Sequence, residues 1–183
     1  MTTLKKEVLS KYKSPYFFET GTSGGDAVRL ALELGFDKIF TVEIDQNLYN
    51  NNILSFKKEI EEGRVFMFLG DTIEILPELL KSHIDKKCTF WLDAHWDGGP
   101  LGIKKCPLVD ELDYIKKYKN LNHTILIDDR RCFGGGNWGH GINENIIVNK
   151  LKEINENYII KYEDGHIPND VIADRKSTRL NSS

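Results

Sequence analysis

The chain has 183 residues, of which 40% are hydrophobic and 29% are charged, and its formal net charge at pH 7 is −3. These values are typical of one globular domain that buries about two-thirds of the surface of its unfolded chain. The slight negative charge excludes the broad basic field by which many proteins bind nucleic acid or acidic membranes.

Apolar runs and helical repeats alternate through the first half of the chain. Continuous apolar runs predict strands that are buried on both faces, as in a parallel sheet. Apolar residues spaced three or four apart predict helices between them. In chain order we predict a helix over residues 3–13, a strand over 16–19, a helix over 25–34, a strand over 39–44, a helix over 45–62 and a strand over 65–69.

The second half continues this alternation and ends in two antiparallel strands. Pro77 falls within a helical pattern, and it predicts a split helix because proline removes an intrahelical hydrogen bond. The last two strands are joined through Asp164-Gly165 as a hairpin. We predict a helix that follows Thr72 and includes Leu76, Leu79 and Leu80, a strand over 89–93, a helix over 107–118, a strand over 124–129, a helix over 143–155, and strands over 158–163 and 170–173.

Five strand–helix units in alternation predict an α/β fold with a mostly parallel sheet, helices on both faces and right-handed crossovers. We assign residues 1–174 to a single domain. Residues 175–183 are polar, break the preceding periodicity and resemble the translation of a sequencing adapter. We therefore predict that they form a non-native or disordered tail, and exclude them from the fold.

A Gly-rich turn connects the first predicted strand to its helix. Residues 19–26 are Glu-Thr-Gly-Thr-Ser-Gly-Gly-Asp. In such a turn, backbone N–H groups and the positive end of the following helix bind a nucleotide-like ligand. Similar turns also connect strands to helices where no ligand binds, so the turn alone leaves both interpretations open.

Acidic residues follow all five of the predicted parallel strands. Ligands of open α/β sheets bind outside the carboxyl ends of the strands, although each acid could instead cap a helix or lie in a surface turn. Glu43 stands just over twenty residues after Gly21, where a nucleotide-binding unit carries its acceptor for ribose hydroxyls. Asp71 could accept from an adenine amine. The full set is Glu19, Glu43, Asp71, Asp93 and the pair Asp128-Asp129.

The pattern Glu19-x-Gly21-x-Ser23-x-Gly25, together with Glu43 and Gly70-Asp71, resembles the nucleoside motifs of class I S-adenosylmethionine-dependent methyltransferases. The family usually carries glycine where Ser23 stands. The resemblance covers about residues 15–173, and implies a Rossmann-like, seven-stranded sheet whose last strand is antiparallel. It also implies an S-adenosylmethionine site formed by Glu19, Gly21, Thr22, Ser23, Gly25, Glu43, Ile44, Asp71, Thr72 and Asp93.

The second half is similar to the metal-dependent branch of that family, such as the macrocin-type sugar O-methyltransferases. The similarity lies in Asp93-Ala94-His95 and in Ile127-Asp128-Asp129. It implies that Asp93, Asp128 and Asp129 hold Mg²⁺, which prefers carboxylate oxygens. It also implies catalytic roles for Asp93 and for His95, the general base, although a carboxylate is common at the position of His95.

Simpler roles for the same residues remain open at this point. His95 could cap or pack within its loop, and Asp128-Asp129 could cap the following turn. Arg130-Arg131 could bind a phosphate or carboxylate of the acceptor, or could neutralise the neighbouring acids. Trp96 and Trp138 could face a sugar ring or pack a lid.

The resemblance implies Mg²⁺-assisted transfer of a methyl group to a hydroxyl of a small molecule, a sugar or similar polyol. The alternative is a catalytically silent domain that binds S-adenosylmethionine or a nucleotide. A dehydrogenase is disfavoured because the Gly-x-Gly-x-x-Gly fingerprint is missing, and a nucleic-acid methyltransferase because the chain has no basic stripe. We expect no nucleic-acid or membrane partner. A homo-oligomer in which a partner subunit completes the acceptor site remains open.

The cysteines and the N-terminus bear on localisation. Cys88, Cys106 and Cys132 are an odd number without a Cys-x-x-Cys pair, which fits neither a disulfide framework nor a structural zinc site. A reducing compartment is the simpler interpretation. Residues 1–6 lack the apolar core of a signal peptide, and no apolar run approaches ~18 residues. We therefore expect a cytoplasmic protein.

Overall fold

The computed structural model describes residues 2–94, 106–134 and 141–176, and these residues contain seven strands and seven α-helices. In chain order they are α1 (Lys6–Lys11), β1 (Tyr16–Thr20), α2 (Asp26–Glu33), β2 (Lys38–Glu43), α3 (Gln46–Ser55), α4 (Lys57–Glu61), β3 (Val65–Leu69), α5 (Thr72–Ser82), β4 (Cys88–Leu92), α6 (Leu108–Lys116), β5 (Thr124–Ile127), α7 (Glu144–Ile154), β6 (Tyr158–Glu163) and β7 (Val171–Lys176).

The strands form one sheet in the order β3-β2-β1-β4-β5-β7-β6. Strands β1 to β5 are parallel, and β1 lies between β2 and β4. Strand β7 is antiparallel to both of its neighbours, β5 and β6. The predicted seven-stranded, mostly parallel sheet with a closing antiparallel hairpin is therefore confirmed. The order of the strands reverses between β1 and β4, and ligands of open α/β sheets bind at such a point, outside the carboxyl ends of the strands.

The sheet has a hydrophobic core on each face. Neighbouring residues of a strand point to opposite faces, so Phe17 belongs to one core and Phe18 to the other, and both are fully buried. Helices α5, α6 and α7 cover the face of Phe18, while α1 and α2 cover the face of Phe17. Strands buried on both faces explain why their sequences are continuously apolar.

The predicted split at Pro77 is wrong, because α5 is continuous from Thr72 to Ser82. Leu76, Leu79 and Leu80 lie on either side of the proline and are almost completely buried in the core. Burial of one leucine stabilises by about 1.5–3 kcal/mol, whereas an interior proline costs about 3 kcal/mol. The packing of three leucines therefore outweighs the hydrogen bond that the proline removes.

The single helix predicted over residues 45–62 is also wrong. The helix is interrupted at Phe56, whose φ and ψ are −110° and 20°, and α4 begins at the next residue. Asn50, Asn51 and Asn52 have low helix propensity and weaken the turn that precedes the break. The Phe56 ring is buried and lies beneath the guanidinium group of Arg29, 5.0 Å from it. The spacing of apolar residues in the sequence does not reveal such an interruption of the helix.

Two strands end more than one residue away from their predicted ends. Strand β5 ends at Ile127, two residues early, because the chain turns at Asp129, where φ is +56°. Strand β7 extends to Lys176, three residues further than predicted, and pairs there with Tyr158. None of the helices within the described ranges combines the length and the apolar character that crossing a membrane requires.

Candidate active site

The loop after β1 is fastened to the end of β2. The backbone N–H groups of Gly21 and Thr22 both donate to the carbonyl oxygen of Val42, at 3.0 and 3.1 Å. Gly21 has φ of +84°, and a Cβ atom there would lie 3.0 Å from the carbonyl oxygen of Asp93. Glycine is therefore required at residue 21, because the loop runs directly against the end of β4.

The structure shows how Ser23 is accommodated in the loop and why residue 25 is a glycine. Ser23 adopts φ of +49°, a left-handed conformation that costs about 1–2 kcal/mol for a non-glycine residue. Its backbone N–H donates to Glu43 Oε2 at 2.7 Å, which helps to hold this conformation. At Gly25, where φ is +77°, a Cβ atom would lie 2.6 Å from both Asn52 Oδ1 and Phe56 Cε2.

Glu43 is held by the loops on either side of it. Its Oε2 atom accepts from the Ser23 N–H and its Oε1 atom accepts from the Asp45 N–H at 2.9 Å. The residue is only 5% exposed, so these contacts fix the carboxylate rather than leave it in solvent. Each carboxylate oxygen can accept a second hydrogen bond. Glu43 can therefore also accept from two neighbouring hydroxyl groups of a ligand.

Glu19 lies beneath the loop rather than on its surface. Thr41 Oγ1 donates to Glu19 Oε2 at 2.9 Å, and the hydroxyls of Thr41 and Thr22 are 2.5 Å apart. Burial raises the pKa of Glu19 well above its usual value, against the opposing effect of the Thr41 hydrogen bond, and the nearby Asp93 charge raises it further. These contacts make Glu19 a buried support for the loop.

Asp71 and Thr72 lie where α5 begins, beside the end of β2. The carboxylate of Asp71 caps α5, with Oδ1 accepting from the Ile73 N–H at 2.9 Å. The Gly70 N–H donates to the carbonyl oxygen of Glu43 at 2.9 Å, which brings this turn next to Glu43. Ile44 is half-buried at the same edge. The predicted nucleoside residues of β2 and β3 therefore lie together.

A residue that the sequence analysis missed, Glu111, connects the two halves of the site. It lies fully buried on α6, and its Oε1 atom accepts from Thr72 Oγ1 at 2.9 Å. Burial raises its pKa to about 7, while hydrogen bonding with Thr72 and Thr20 opposes the rise. Thr20 Oγ1 in turn accepts from the Asp93 N–H at 3.1 Å. An acid on the apolar face of a predicted helix was the available signal.

Three acids converge at the ends of β4 and β5. These strands are parallel neighbours in which Leu92 pairs with Ile127, so the residues that follow them meet at one edge of the sheet. Carboxylate oxygens of Asp93, Asp128 and Asp129 lie within 4.8 Å of one another. The left-handed turn at Asp129 allows two consecutive acids to contribute to the same cluster.

The electrostatics of this cluster favour the uptake of positive charge. Burial first, and then the charges of Asp128 and Asp129, raise the pKa of Asp93 to about 8. Burial and the charge of Asp128 raise the pKa of Asp129 to about 6, while Arg131 lowers it. Carboxylates this close repel one another when ionised, and a bound cation would relieve that repulsion.

Asp128 provides the observation that tests whether a metal ion fits. The residue is 1% exposed, and its Oδ1 atom has no hydrogen-bond partner among the described residues. A buried carboxylate oxygen without a donor is costly unless a cation or water satisfies it. Three carboxylates that offer oxygen ligands are the donor set that Mg²⁺ prefers. The residues of the cluster therefore fit a hard divalent cation.

The two arginines that follow the acids are engaged by acidic partners. Arg131 Nη1 lies 2.7 Å from Asp129 Oδ1 and also forms an ion pair with Asp170, whose Oδ1 atom accepts from the Arg131 N–H at 2.8 Å. Arg130 Nε donates to Glu144 Oε2 at 2.9 Å. Of the two roles considered for this pair, neutralisation of acidic side chains is the one that these contacts support.

Several predicted residues lie outside the described part of the chain. These include His95, the predicted general base, together with Trp96 and Trp138. Their roles stay predictions. All three predicted metal ligands and all ten predicted nucleoside residues are described. They lie at the carboxyl ends of β1 to β5 or in the segments that directly follow these strands.

Solved structures with a similar fold include enzymes that bind S-adenosylmethionine or its product. The SAH-bound methyltransferase PaMTH1 of Podospora anserina matches with a TM-score of 0.60 and 16% identity, covering 94% of this chain and 76% of that chain. An O-methyltransferase of Bacillus cereus in complex with SAH matches with a TM-score of 0.65 and 13% identity, covering 93% of this chain and 78% of that chain. The O-methyltransferase TomG of Streptomyces achromogenes, in complex with SAM, matches with a TM-score of 0.55 and 14% identity, covering 94% of this chain and 78% of that chain.

Family models and curated proteins gave no match to this chain. At the identities found, the likeness to solved structures shows the fold, which is the Rossmann-like fold of these methyltransferases.

Proposed function

We propose that this protein is an S-adenosylmethionine-dependent O-methyltransferase that acts, with the help of Mg²⁺, on a hydroxyl of a small molecule, a sugar or similar polyol. One observation carries the proposal. The Gly-rich loop and the acid cluster are in direct contact, since a Cβ atom at Gly21 would lie 3.0 Å from the carbonyl oxygen of Asp93. A methyl donor on the loop and an acceptor on the cluster would therefore meet.

The loop side of the site, formed by the Gly-rich loop, Glu43 and Asp71, carries the groups that a nucleoside requires. Glu43 is fixed by two backbone N–H groups and retains the capacity to accept from two ribose hydroxyls. Asp71 uses Oδ1 to cap α5, which leaves Oδ2 as the acceptor for an adenine amine. A bound S-adenosylmethionine would supply an activated methyl group, and Glu43 and Asp71 would hold its nucleoside beside the loop that contacts Asp93.

The acid side positions the acceptor. Methyl transfer needs an in-line oxygen about 3 Å from the methyl carbon, so orientation provides much of the catalysis. A cation held by Asp93, Asp128 and Asp129 supplies the Lewis acidity that lowers the pKa of an acceptor hydroxyl. Arg131 restrains Asp129 through an ion pair. His95, two residues after Asp93, is the residue that we propose as the base for the hydroxyl proton.

A sugar or polyol is proposed as acceptor on chemical grounds. An ion held by three protein carboxylates would have coordination positions left for substrate oxygens, and two vicinal hydroxyls could fill them. The resemblance of Asp93-Ala94-His95 and Ile127-Asp128-Asp129 to sugar O-methyltransferases points the same way.

The test measures methyl transfer from labelled S-adenosylmethionine to sugars, nucleotide sugars and catechols, with Mg²⁺ and with EDTA. We expect transfer to a hydroxyl-bearing acceptor that EDTA abolishes and that Asp128→Asn reduces by about a hundredfold or more, since even residues that only support metal ligands contribute about 10–100-fold. Asp113→Asn is the matched control, because Asp113 pairs with Lys150 on the surface.

Transfer that withstands both EDTA and Asp128→Asn would remove Mg²⁺ from the mechanism. Nucleoside binding without transfer to any acceptor would favour the catalytically silent domain. An absence of nucleoside binding would contradict the proposed function as a whole.

A further inference from the structure

The segment before α1 reaches the acid cluster. Thr3 Oγ1 donates a hydrogen bond to Asp128 Oδ2, which joins residues separated by 125 positions in the chain. Asp128 is almost completely buried, whereas Thr3 is half-buried. The N-terminal segment is therefore part of the environment of a proposed metal ligand.

This segment is fixed on both sides of Thr3. The Thr2 N–H donates to Asp26 Oδ2 at 3.3 Å, at the start of α2. The carbonyl oxygen of Thr2 lies 2.9 Å from His166 Nε2, in the turn between β6 and β7. Leu4 follows and is buried in the core with α1. Thr3 is thus held against Asp128 by contacts with three different parts of the fold.

Because of this contact, the two carboxylate oxygens of Asp128 have different surroundings. Oδ2 accepts from Thr3, while Oδ1 is buried and has no hydrogen-bond partner among the described residues. A carboxylate with one oxygen held by a hydroxyl cannot rotate freely, so its other oxygen keeps a fixed direction. Hydrogen bonds that orient metal ligands commonly contribute 10–100-fold to metal affinity.

We propose that Thr3 is a positioning residue for the cation, holding Asp128 Oδ2 so that Oδ1 is directed to the ion shared with Asp93 and Asp129. This inference rests on the cation site of the proposed function. It requires a hydroxyl at residue 3 and no particular side-chain shape beyond it. Serine should therefore replace Thr3, whereas valine, which has the same shape but no hydroxyl, should not.

The test titrates Mn²⁺ and follows the electron paramagnetic resonance signal of the free ion, for the wild type, Thr3→Val and Thr3→Ser. SAH binding, measured by calorimetry on each variant, monitors the fold and the nucleoside site. Ser10→Ala is the control, since the Ser10 hydroxyl donates to the Glu7 carbonyl oxygen on the exposed side of α1. We expect Thr3→Val to weaken Mn²⁺ binding about 10–100-fold. Thr3→Ser should restore it, and SAH affinity should stay unchanged throughout.

Two outcomes would overturn the positioning role: wild-type Mn²⁺ affinity in Thr3→Val, or affinity as weak in Thr3→Ser as in Thr3→Val. A wild type that binds SAH but not Mn²⁺ would remove the cation site and this inference with it, while the nucleoside site would stand. A wild type that does not bind SAH would instead contradict the proposed function.

Discussion

Gly25 and Ser23 have similar backbone conformations but very different surroundings. We expect Gly25→Ala to lower the free energy of unfolding by about 2 kcal/mol or more, because the left-handed strain adds to a clash in a packed region. The clash is with Asn52 and Phe56, both 2.6 Å from the new Cβ atom. Ser23→Gly meets no such contact, and the strain that it relieves is offset by the greater freedom of glycine in the unfolded chain, so it should change stability little. Urea unfolding of both variants measures this, and equal midpoints for Gly25→Ala and wild type would contradict it.

Asp174 provides a pH-dependent prediction. It is fully buried on β7, neither of its carboxylate oxygens has a hydrogen-bond partner within the described residues, and burial raises its pKa to about 9. Between the unfolded pKa of about 4 and the folded value, the native state holds a proton that the unfolded state releases. The contribution of Asp174 to stability is therefore complete below about pH 4 and is lost as the pH rises toward 9.

Asp174→Asn removes this titration while keeping a similar shape. The stability of the variant relative to wild type should therefore increase between pH 5 and pH 8, with a limiting slope of about 1.4 kcal/mol per pH unit. Urea unfolding at pH 5, 6.5 and 8 measures the difference between the two proteins. A difference that is constant over this range would show that Asp174 is not protonated in the folded state.

At the scale of elements, Asp71 at the start of α5 has both a structural role, as the N-cap, and a proposed role in binding the nucleoside. Asp71→Ala removes the N-cap and should destabilise the protein by about 1 kcal/mol. Asp71→Asn retains a capping oxygen for the Ile73 N–H but presents an amide N–H₂ in place of Oδ2. It should preserve the melting temperature and weaken SAH binding about tenfold, a loss of about 1.4 kcal/mol. Unchanged SAH affinity in Asp71→Asn would show that Asp71 only caps the helix.

The elements also show what local sequence can and cannot predict. Strands β1, β2, β4 and β5 were predictable from their continuous apolar runs, because burial on both faces leaves little room for polar residues. The continuity of α5 through Pro77 was not predictable, since it depends on leucines packing against a sheet whose geometry is not local. The break at Phe56 has the same origin, because the ring packs beneath the loop of a different strand–helix unit.

At the scale of the whole molecule, the order of the strands brings the two halves of the site together. Strands β1, β2 and β3 carry the loop, Glu43 and Asp71, while β4 and β5 carry the acid cluster, and β1 and β4 are neighbours. Acids that follow parallel strands were recognisable from the sequence because strand ends must meet at one edge. The partners of Glu111 and Thr3 were not recognisable, since Thr72 and Asp128 lie 39 and 125 residues away along the chain and belong to other elements.

Calorimetric titration of SAH into the wild type and Glu43→Gln tests most directly whether the loop side binds the nucleoside. We predict one saturable site in the wild type. The variant should bind at least about tenfold more weakly, because an amide N–H₂ would replace an oxygen that accepts from both a backbone N–H and a ribose hydroxyl. A wild type that takes up no SAH would contradict the assignment of the Gly-rich loop to the cofactor. A Glu43→Gln variant that binds SAH as tightly as wild type would contradict the assignment of Glu43 to the ribose.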